Sequence, residues 1–209
     1  MKIAVFGSTG GTGRQIVAQP LAARHEVAAF TRQSTASLEP RQGLTVVCGS
    51  TLDQEAVARA IAGRDAVLCA LGGHPLRRRE CVCSTAVQSI ASAMRDLNVR
   101  RIIAISTFGA GDTRSHVGLL ARTLLFGLIL RSEVADKEAM EAHLAASDLD
   151  WTVVRIGVLA DGEARGAWRA ADDGTIRGMG KVARSDVAAF MLAQLESNAW
   201  VRRRPVLQY

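Results

Sequence analysis

The stretch IAVFGSTGGTGRQIV, Ile3 to Val17, constrains this chain more than any other part of it. A short apolar run breaks into four glycines within seven residues, and apolar residues then return at Ile16 and Val17 with the spacing of a helix face. Gly7, Gly10 and Gly13 are spaced as GxxGxxG, with Gly11 beside them. Glycine at such a turn permits positive φ and removes the Cβ that would keep a phosphate away from the backbone. Amides exposed at the helix start, together with the positive end of its dipole, favour an anion. Ser8, Thr9 and Thr12 add hydroxyl donors. Strand, turn and helix thus come in the order that a dinucleotide fingerprint requires. The plainer alternative is a tight strand-to-helix turn that holds no ligand.

Further apolar runs follow: EVAAF, LTVV, DAVLCAL, RIIAIS and WTVVRI alternate with segments of helical periodicity. That alternation predicts βαβ units and a parallel sheet covered on both faces. Strands at Ile3 to Phe6, Val27 to Phe30 and Thr45 to Val47 form one half, and those around Val67, Ile103 and Val153 the other. The fold class expected is α/β: a doubly wound Rossmann sheet, one domain over residues 1–209, with its ligand crevice at the carboxyl ends of the strands and a substrate pocket in the C-terminal half. Pro20 falls inside the first helix and predicts a bend or an early last turn there. The segment Gly109 to Arg131 is unusually apolar for a connection, and its Leu119, Leu120, Leu124, Leu125 and Leu128 suit core packing, a pocket cap or a subunit contact.

Composition narrows the function classes. No stretch has the length and purity of a membrane span, since Leu119 to Leu130 is interrupted by Arg122 and Gly127, and the expectation is a soluble cytoplasmic chain. Cys48 and Cys69 fall at strand ends, and Cys81 and Cys83 form a CxC with no second pair at zinc spacing, so neither a disulfide framework nor a metal site is expected. The net charge is +6, with arginines clustered at Arg77 to Arg79 and Arg202 to Arg204. With one tyrosine and no DNA- or RNA-reading motif, these read as solvated faces or as a basic rim for a polyanionic cofactor, and not as a nucleic-acid surface. The oligomeric state is left open.

A carboxylate at the end of the second strand would select NAD, whereas a basic side chain there accommodates the 2′-phosphate of NADP. Here the strand ends in Thr31 and Arg32 with no acid adjacent, and NADP(H) is the expected cofactor. The chain resembles the atypical short-chain dehydrogenase/reductases, in particular the NmrA-like and flavin reductase (biliverdin reductase B) group. The residues that carry the likeness are GSTGGTG, GSTLD (Gly49 to Asp53), ALGG (Ala70 to Gly73), LDWTVVRIG (Leu149 to Gly157) and RSDVAAFML (Arg184 to Leu192), which together extend over nearly the whole length. The resemblance implies that Ser50 and Thr51 lie beside the adenine, with Ser50 where the group has an acid. It further implies that Leu71, Gly72 and Gly73 border the pyrophosphate and ribose, Ser106 and Thr107 the nicotinamide, and the Gly157 and Val158 amides the cofactor, with Ile156 replacing a proline. His74 and Arg77 to Arg79 suit an acidic substrate, cofactor phosphates or solvent.

Classical members of the wider superfamily use a YxxxK pair, in which tyrosine protonates the carbonyl and lysine lowers its pKa and holds the ribose. Here EVADK supplies Lys137 four residues after Glu133, and the tyrosine is absent, because the chain's single tyrosine is its last residue, Tyr209. A Glu133–Lys137 pair, like Lys137–Glu141, also fits an ordinary ion pair on a helix surface. Lys137, Ser106 and Thr107 are the candidate catalytic residues, and Lys137 is also expected to bind the cofactor by holding the nicotinamide ribose. Three readings follow. One is an NADPH-dependent reductase acting on a conjugated, planar acceptor such as a flavin, quinone or polyaromatic ketone. Another is a carbonyl reductase or isomerase in which those residues or water replace the tyrosine, and the last is a non-catalytic NADP(H) sensor that binds a protein partner.

Overall fold

In the computed structural model, which describes residues 1–32, 38–72, 82–116 and 130–209, the IAVF run forms the central strand β1 (Lys2–Phe6). Ile3, Ala4, Val5 and Phe6 are all fully buried, so both faces of the strand are covered. A strand in that position is apolar at every residue, the pattern of a parallel sheet held between helix layers. Around it lie β2 (Glu26–Thr31), β3 (Leu44–Cys48), β4 (Ala66–Cys69), β5 (Arg101–Thr107) and β6 (Asp150–Ile156), all parallel, in the order β3-β2-β1-β4-β5-β6. This is the doubly wound Rossmann order. The direction of winding reverses at β1, between β2 and β4, and a crevice opens at the carboxyl ends of those strands.

Side chains of β1 alternate between two cores. Ile3 and Val5 pack with Ile16 and Val17 of α1 (Gly11–Ala22) and with Val187, Phe190 and Met191 of α5 (Arg184–Ala193). Ala4 and Phe6 face Val57 and Ile61 of α2 (Gln54–Ile61), Ile90 and Met94 of α3 (Val82–Asp96), and Met140 and Leu144 of α4 (Arg131–Ala145). Each large apolar side chain so buried contributes about 1.5–3 kcal/mol. Helix α1 stops two residues beyond Pro20, whose carbonyl accepts from the His25 amide at 2.9 Å, so the early last turn is present. Gly73, His74, Arg77 to Arg79, Cys81 and the leucines Leu119, Leu120, Leu124, Leu125 and Leu128 lie outside the described residues. Among the described residues no helix is long and apolar enough to cross a membrane.

The C-terminal quarter adds short strands that the sequence pattern does not announce. β10 (Val206–Gln208) extends the sheet parallel to β6, and β8 (Arg169–Ala171) pairs antiparallel with β10. β7 (Val158–Ala160) and β9 (Lys181–Ala183) form a separate parallel pair. Arg202 and Arg203 are both exposed, Arg203 pairing with Asp172, whereas the half-buried Arg204 pairs with Glu141.

Asp186, buried at the start of α5, fastens this quarter together. It accepts from the Tyr209 hydroxyl at 2.6 Å, the Arg165 amide at 2.8 Å and the Gly166 amide at 3.1 Å. Burial alone would raise its pKa, but those hydrogen bonds outweigh burial and hold the carboxyl below the ordinary value. A depressed carboxyl stabilises the fold above its unfolded pKa, and that contribution disappears as pH falls through the folded value. Asp186→Asn should therefore cost about 2 kcal/mol near neutral pH. The difference from wild type should shrink below about pH 4. Urea midpoints of both proteins at neutral and acid pH measure it.

Candidate functional site

The glycines of the first turn have separate reasons to be there. Gly7 has φ +81°, and a Cβ on it would lie 2.6 Å from the Ala70 carbonyl oxygen. A Cβ on Gly13 would lie 1.9 Å from the Gly7 carbonyl oxygen. Both are demanded by the packing of α1 onto β1 and β4. Gly10 is not: a Cβ there meets nothing nearer than the Gly7 oxygen at 3.5 Å, and it lines the crevice. The N-cap of α1 is Gly10 itself, without a side-chain cap, and no acid occupies the first turn, so the positive helix end is left uncompensated. Thr9 lines the crevice beside it. Ser8 does not offer its hydroxyl to that space, since it is fully buried and donates to the Phe30 carbonyl at 2.7 Å, fastening the turn to β2. Thr12 is buried as well.

The crevice has a volume of about 490 Å³. That falls within the range of small-molecule and cofactor sites. Its walls are Phe30, Thr31 and Arg32 from the end of β2, Ser50, Thr51 and Leu52 after β3, Ala70, Leu71 and Gly72 after β4, and Val82 and Thr85 of α3. Among these residues Arg32 alone is charged, and it is exposed at the rim. Leu52 is 72% exposed, an apolar surface suited to a planar base. The acid of the GSTLD segment is turned to another use: Asp53 caps α2, accepting from the Glu55 and Ala56 amides at 3.0 and 3.1 Å. Ser50 accepts from the Leu52 amide at 3.2 Å.

At the end of β5, Ser106 is buried, and its Oγ has no hydrogen-bond partner among the described residues. A buried hydroxyl left so is a site that a ligand can satisfy. Thr107 Oγ1 donates to the Phe108 carbonyl at 3.2 Å. Lys137 is neither on the surface nor paired with Glu133, contrary to the ion-pair expectation. It is 4% exposed, and Nζ donates to the Leu71 carbonyl at 2.7 Å and the Ile105 carbonyl at 2.8 Å, joining the ends of β4 and β5. Glu141, expected as its other surface partner, is also buried and grips Arg155 through Nε at 3.1 Å and Nη2 at 2.7 Å. Burial pushes the Cys83 thiol, next to Lys137, up to about 11, and burial likewise raises Cys69. Both stay protonated at neutral pH and are not nucleophiles.

Asp136, which the sequence did not single out, precedes Lys137 and reaches the other way. It accepts from the Cys83 amide at 2.8 Å and from the Ser84 amide and hydroxyl at 2.9 and 2.6 Å, capping α3 where that helix borders the crevice. A [ST]xx[DE] search would not find it, because the cap comes from another helix. The Val158 amide, expected at the cofactor, is engaged elsewhere: it donates to the Gly180 carbonyl at 3.0 Å beside the β7–β9 pair. Gly157 packs against the same strand, with a Cβ there 2.8 Å from the Gly180 oxygen.

A glycine-lined helix start at the switch point of a doubly wound sheet, with a basic rim, defines a dinucleotide-binding protein. A model of the NAD(P)H-binding family matches residues 7–198, and the chain belongs to that family. Its fold is similar to that of a short-chain dehydrogenase/reductase from Veillonella parvula solved in complex with NADP, with TM-score 0.86 and 18% identity over 100% of this chain and 94% of that one. An anaerobillin reductase from Escherichia coli O157:H7 gives TM-score 0.81 and 25% identity over 100% and 97%. An oxidoreductase from Lactococcus lactis gives TM-score 0.83 and 19% identity over 100% and 90%. The likeness to short-chain dehydrogenase/reductases read from the motifs is present at the level of the fold, and NAD(P)H is the cofactor.

The two kinds of glycine are separable by experiment. Gly13→Ala should lower stability by about 3 kcal/mol, because the new methyl meets backbone that cannot move aside. Gly10→Ala should change stability by less than about 0.5 kcal/mol yet weaken NADPH binding tenfold or more. Thermal melts and fluorescence titrations of both variants test the distinction.

Proposed function

We propose that the chain is an NADPH-dependent reductase that transfers hydride to a small, planar, conjugated acceptor of the flavin, quinone or polyaromatic ketone class, in the cytoplasm. The observation that carries this reading is Lys137, which is buried with its ammonium engaged by the Leu71 and Ile105 carbonyls. The YxxxK spacing has Glu133 in place of the tyrosine, Lys137 is bound to two carbonyls, and the hydroxyl of Tyr209 is bonded to Asp186. A delocalised acceptor takes its proton from water and tolerates the missing tyrosine. The anaerobillin reductase among the structural relatives supports an acceptor of this kind.

The residues present fit the cofactor in two places: the open Cα of Gly10, which a side chain would fill, and the unpartnered Ser106 hydroxyl. The turn formed by Gly7, Ser8, Thr9, Gly10, Gly11, Thr12 and Gly13 would hold the pyrophosphate at the start of α1, Arg32 the 2′-phosphate, and Ser50 and Thr51 the adenine, with Leu52 beneath it. Leu71, Gly72 and Gly73 would border the ribose and pyrophosphate, and Ser106, with Thr107 and the Gly157 and Val158 segment, the nicotinamide. When bound, NADPH supplies the hydride, and the protein supplies orientation. Lys137 acts here as a positioning residue: by holding the Leu71 and Ile105 carbonyls it sets the spacing of two strands that the cofactor spans.

NADPH should bind more tightly than NADH, and Arg32→Ala should remove most of that preference, since a charge-assisted phosphate contact contributes about 1.5–3 kcal/mol. Equal affinities in the wild type would overturn the assignment. Lys137→Met should reduce kcat less than about tenfold, equally with a quinone and a simple ketone and with no change in pH profile. A loss of about 10²-fold or more confined to the ketone would make Lys137 a general acid instead. Tight NADPH binding without turnover of any acceptor would favour the sensor.

A further inference from the structure

Gly11 is the glycine of the first turn that neither the backbone nor the crevice explains. Its φ is not left-handed and it does not line the crevice. A Cβ there would instead lie 2.8 Å from Nε and 2.9 Å from Cδ of Arg184. The stem of that arginine crosses the first turn of α1, and residue 11 lacks a side chain where it passes. Arg184 is the first residue of α5, and Gln19 of α1 fixes this end of α5 by donating to the Ser185 carbonyl at 2.9 Å. The backbone is thus held in place while the side chain reaches over the helix start.

What the guanidinium meets there is electrostatically poor. Its ion-pair partner is Asp161, with Nη1 to Oδ1 at 2.5 Å, and the Asp161 side chain is 91% exposed against 27% for Arg184. A pair with one member in solvent is weak and exchanges readily. The first turn of α1 has no acid and no side-chain cap. A cation laid against the positive end of a helix is unfavourable by itself and favourable once an anion comes between them. Arginine's fork of donors suits phosphate oxygens.

We propose that Arg184 is a positioning residue for the bound dinucleotide: it releases Asp161 and closes on the pyrophosphate beside the first turn of α1, with Asp161 serving as the resting counter-ion. This rests on the dinucleotide crossing the glycine turn, as the reading above has it. The anion it takes is the pyrophosphate and not a carboxylate on the acceptor, and the two sources are separable.

The test is fluorescence titration of the full chain with NADPH and NADH, for wild type, Arg184→Gln, Arg184→Lys, Gly11→Ala and Asp161→Asn. Arg184→Gln should weaken both cofactors about tenfold and alike, leaving the NADPH preference set by Arg32 intact. Arg184→Lys should recover part of the loss, and Gly11→Ala, by pushing the arginine stem aside, should reproduce it. Asp161→Asn should tighten binding about two- to threefold by removing the competitor. A merely structural role would lower the melting temperature with no gain in Asp161→Asn, and would overturn the proposal. So would unchanged cofactor affinity in Arg184→Gln. If KM then rose for a carboxylated quinone and not for a neutral one, the anion would be the acceptor's. A wild type that binds NADPH but turns over no acceptor would sink the reductase reading while leaving these binding results decisive for Arg184.

Discussion

The crevice depends on one close approach of backbone to backbone: the Cα of Gly13 against the carbonyl of Gly7, where a Cβ would lie 1.9 Å from the oxygen. Because the two can touch, α1 begins directly after the end of β1, where the sheet's winding reverses. Gly7, at φ +81°, turns the chain so that the Ala70 carbonyl of the neighbouring β4 segment fits against it. The space saved by those two glycines becomes the floor of the crevice, and Gly10 is left bare above it. A side chain at either structural position would push α1 off the sheet and separate the amides from the strand ends that complete the site.

Helix α4 does the complementary work from the other face, with polar residues where a helix packed on a sheet would ordinarily be apolar. Asp136, Lys137 and Glu141 are all buried. Buried charges need partners, and each of these finds one on a different element: the start of α3, the carbonyls of Leu71 and Ile105, and Arg155 of β6. Arg155 also reaches Asp112 in the segment after β5, and Arg204 joins Glu141 from the C-terminal side. One helix thereby fixes the relative positions of α3, β4, β5 and β6 around the crevice. Removing one partner from such a set leaves an uncompensated charge in the interior, which is far more damaging than losing an exposed pair. The Lys137 ammonium is engaged in holding backbone, with the Leu71 and Ile105 carbonyls as its acceptors.

Much of this was legible in the sequence, because the features concerned are local. The glycine turn, the unbroken apolar runs of the central strands and the basic residue ending β2 are each set by neighbours in the chain, and the Rossmann order followed from their alternation. What depended on distant partners was not legible. Glu133 and Lys137 at i, i+4 fit an exposed pair as well as a site lysine, and only the packing of α4 shows that the ammonium is buried and turned to carbonyls. Ser8 reads as a phosphate donor until β2 is seen to supply the Phe30 carbonyl that takes its hydrogen. The three-residue strands β7 to β10 are too short to carry a period, and Tyr209, unremarkable at the end of the chain, proves to be a fastener for Asp186.

In the proposed reaction, hydride would pass from NADPH to a conjugated acceptor that takes its proton from water. Turnover of a quinone with NADPH deuterated at the transferring position, followed in light and heavy water across pH, tests it most directly. The account predicts a primary isotope effect on kcat/KM, no solvent isotope effect, and a rate that stays flat between about pH 6 and 8. A solvent isotope effect accompanied by a rate that follows the titration of a single group would contradict it.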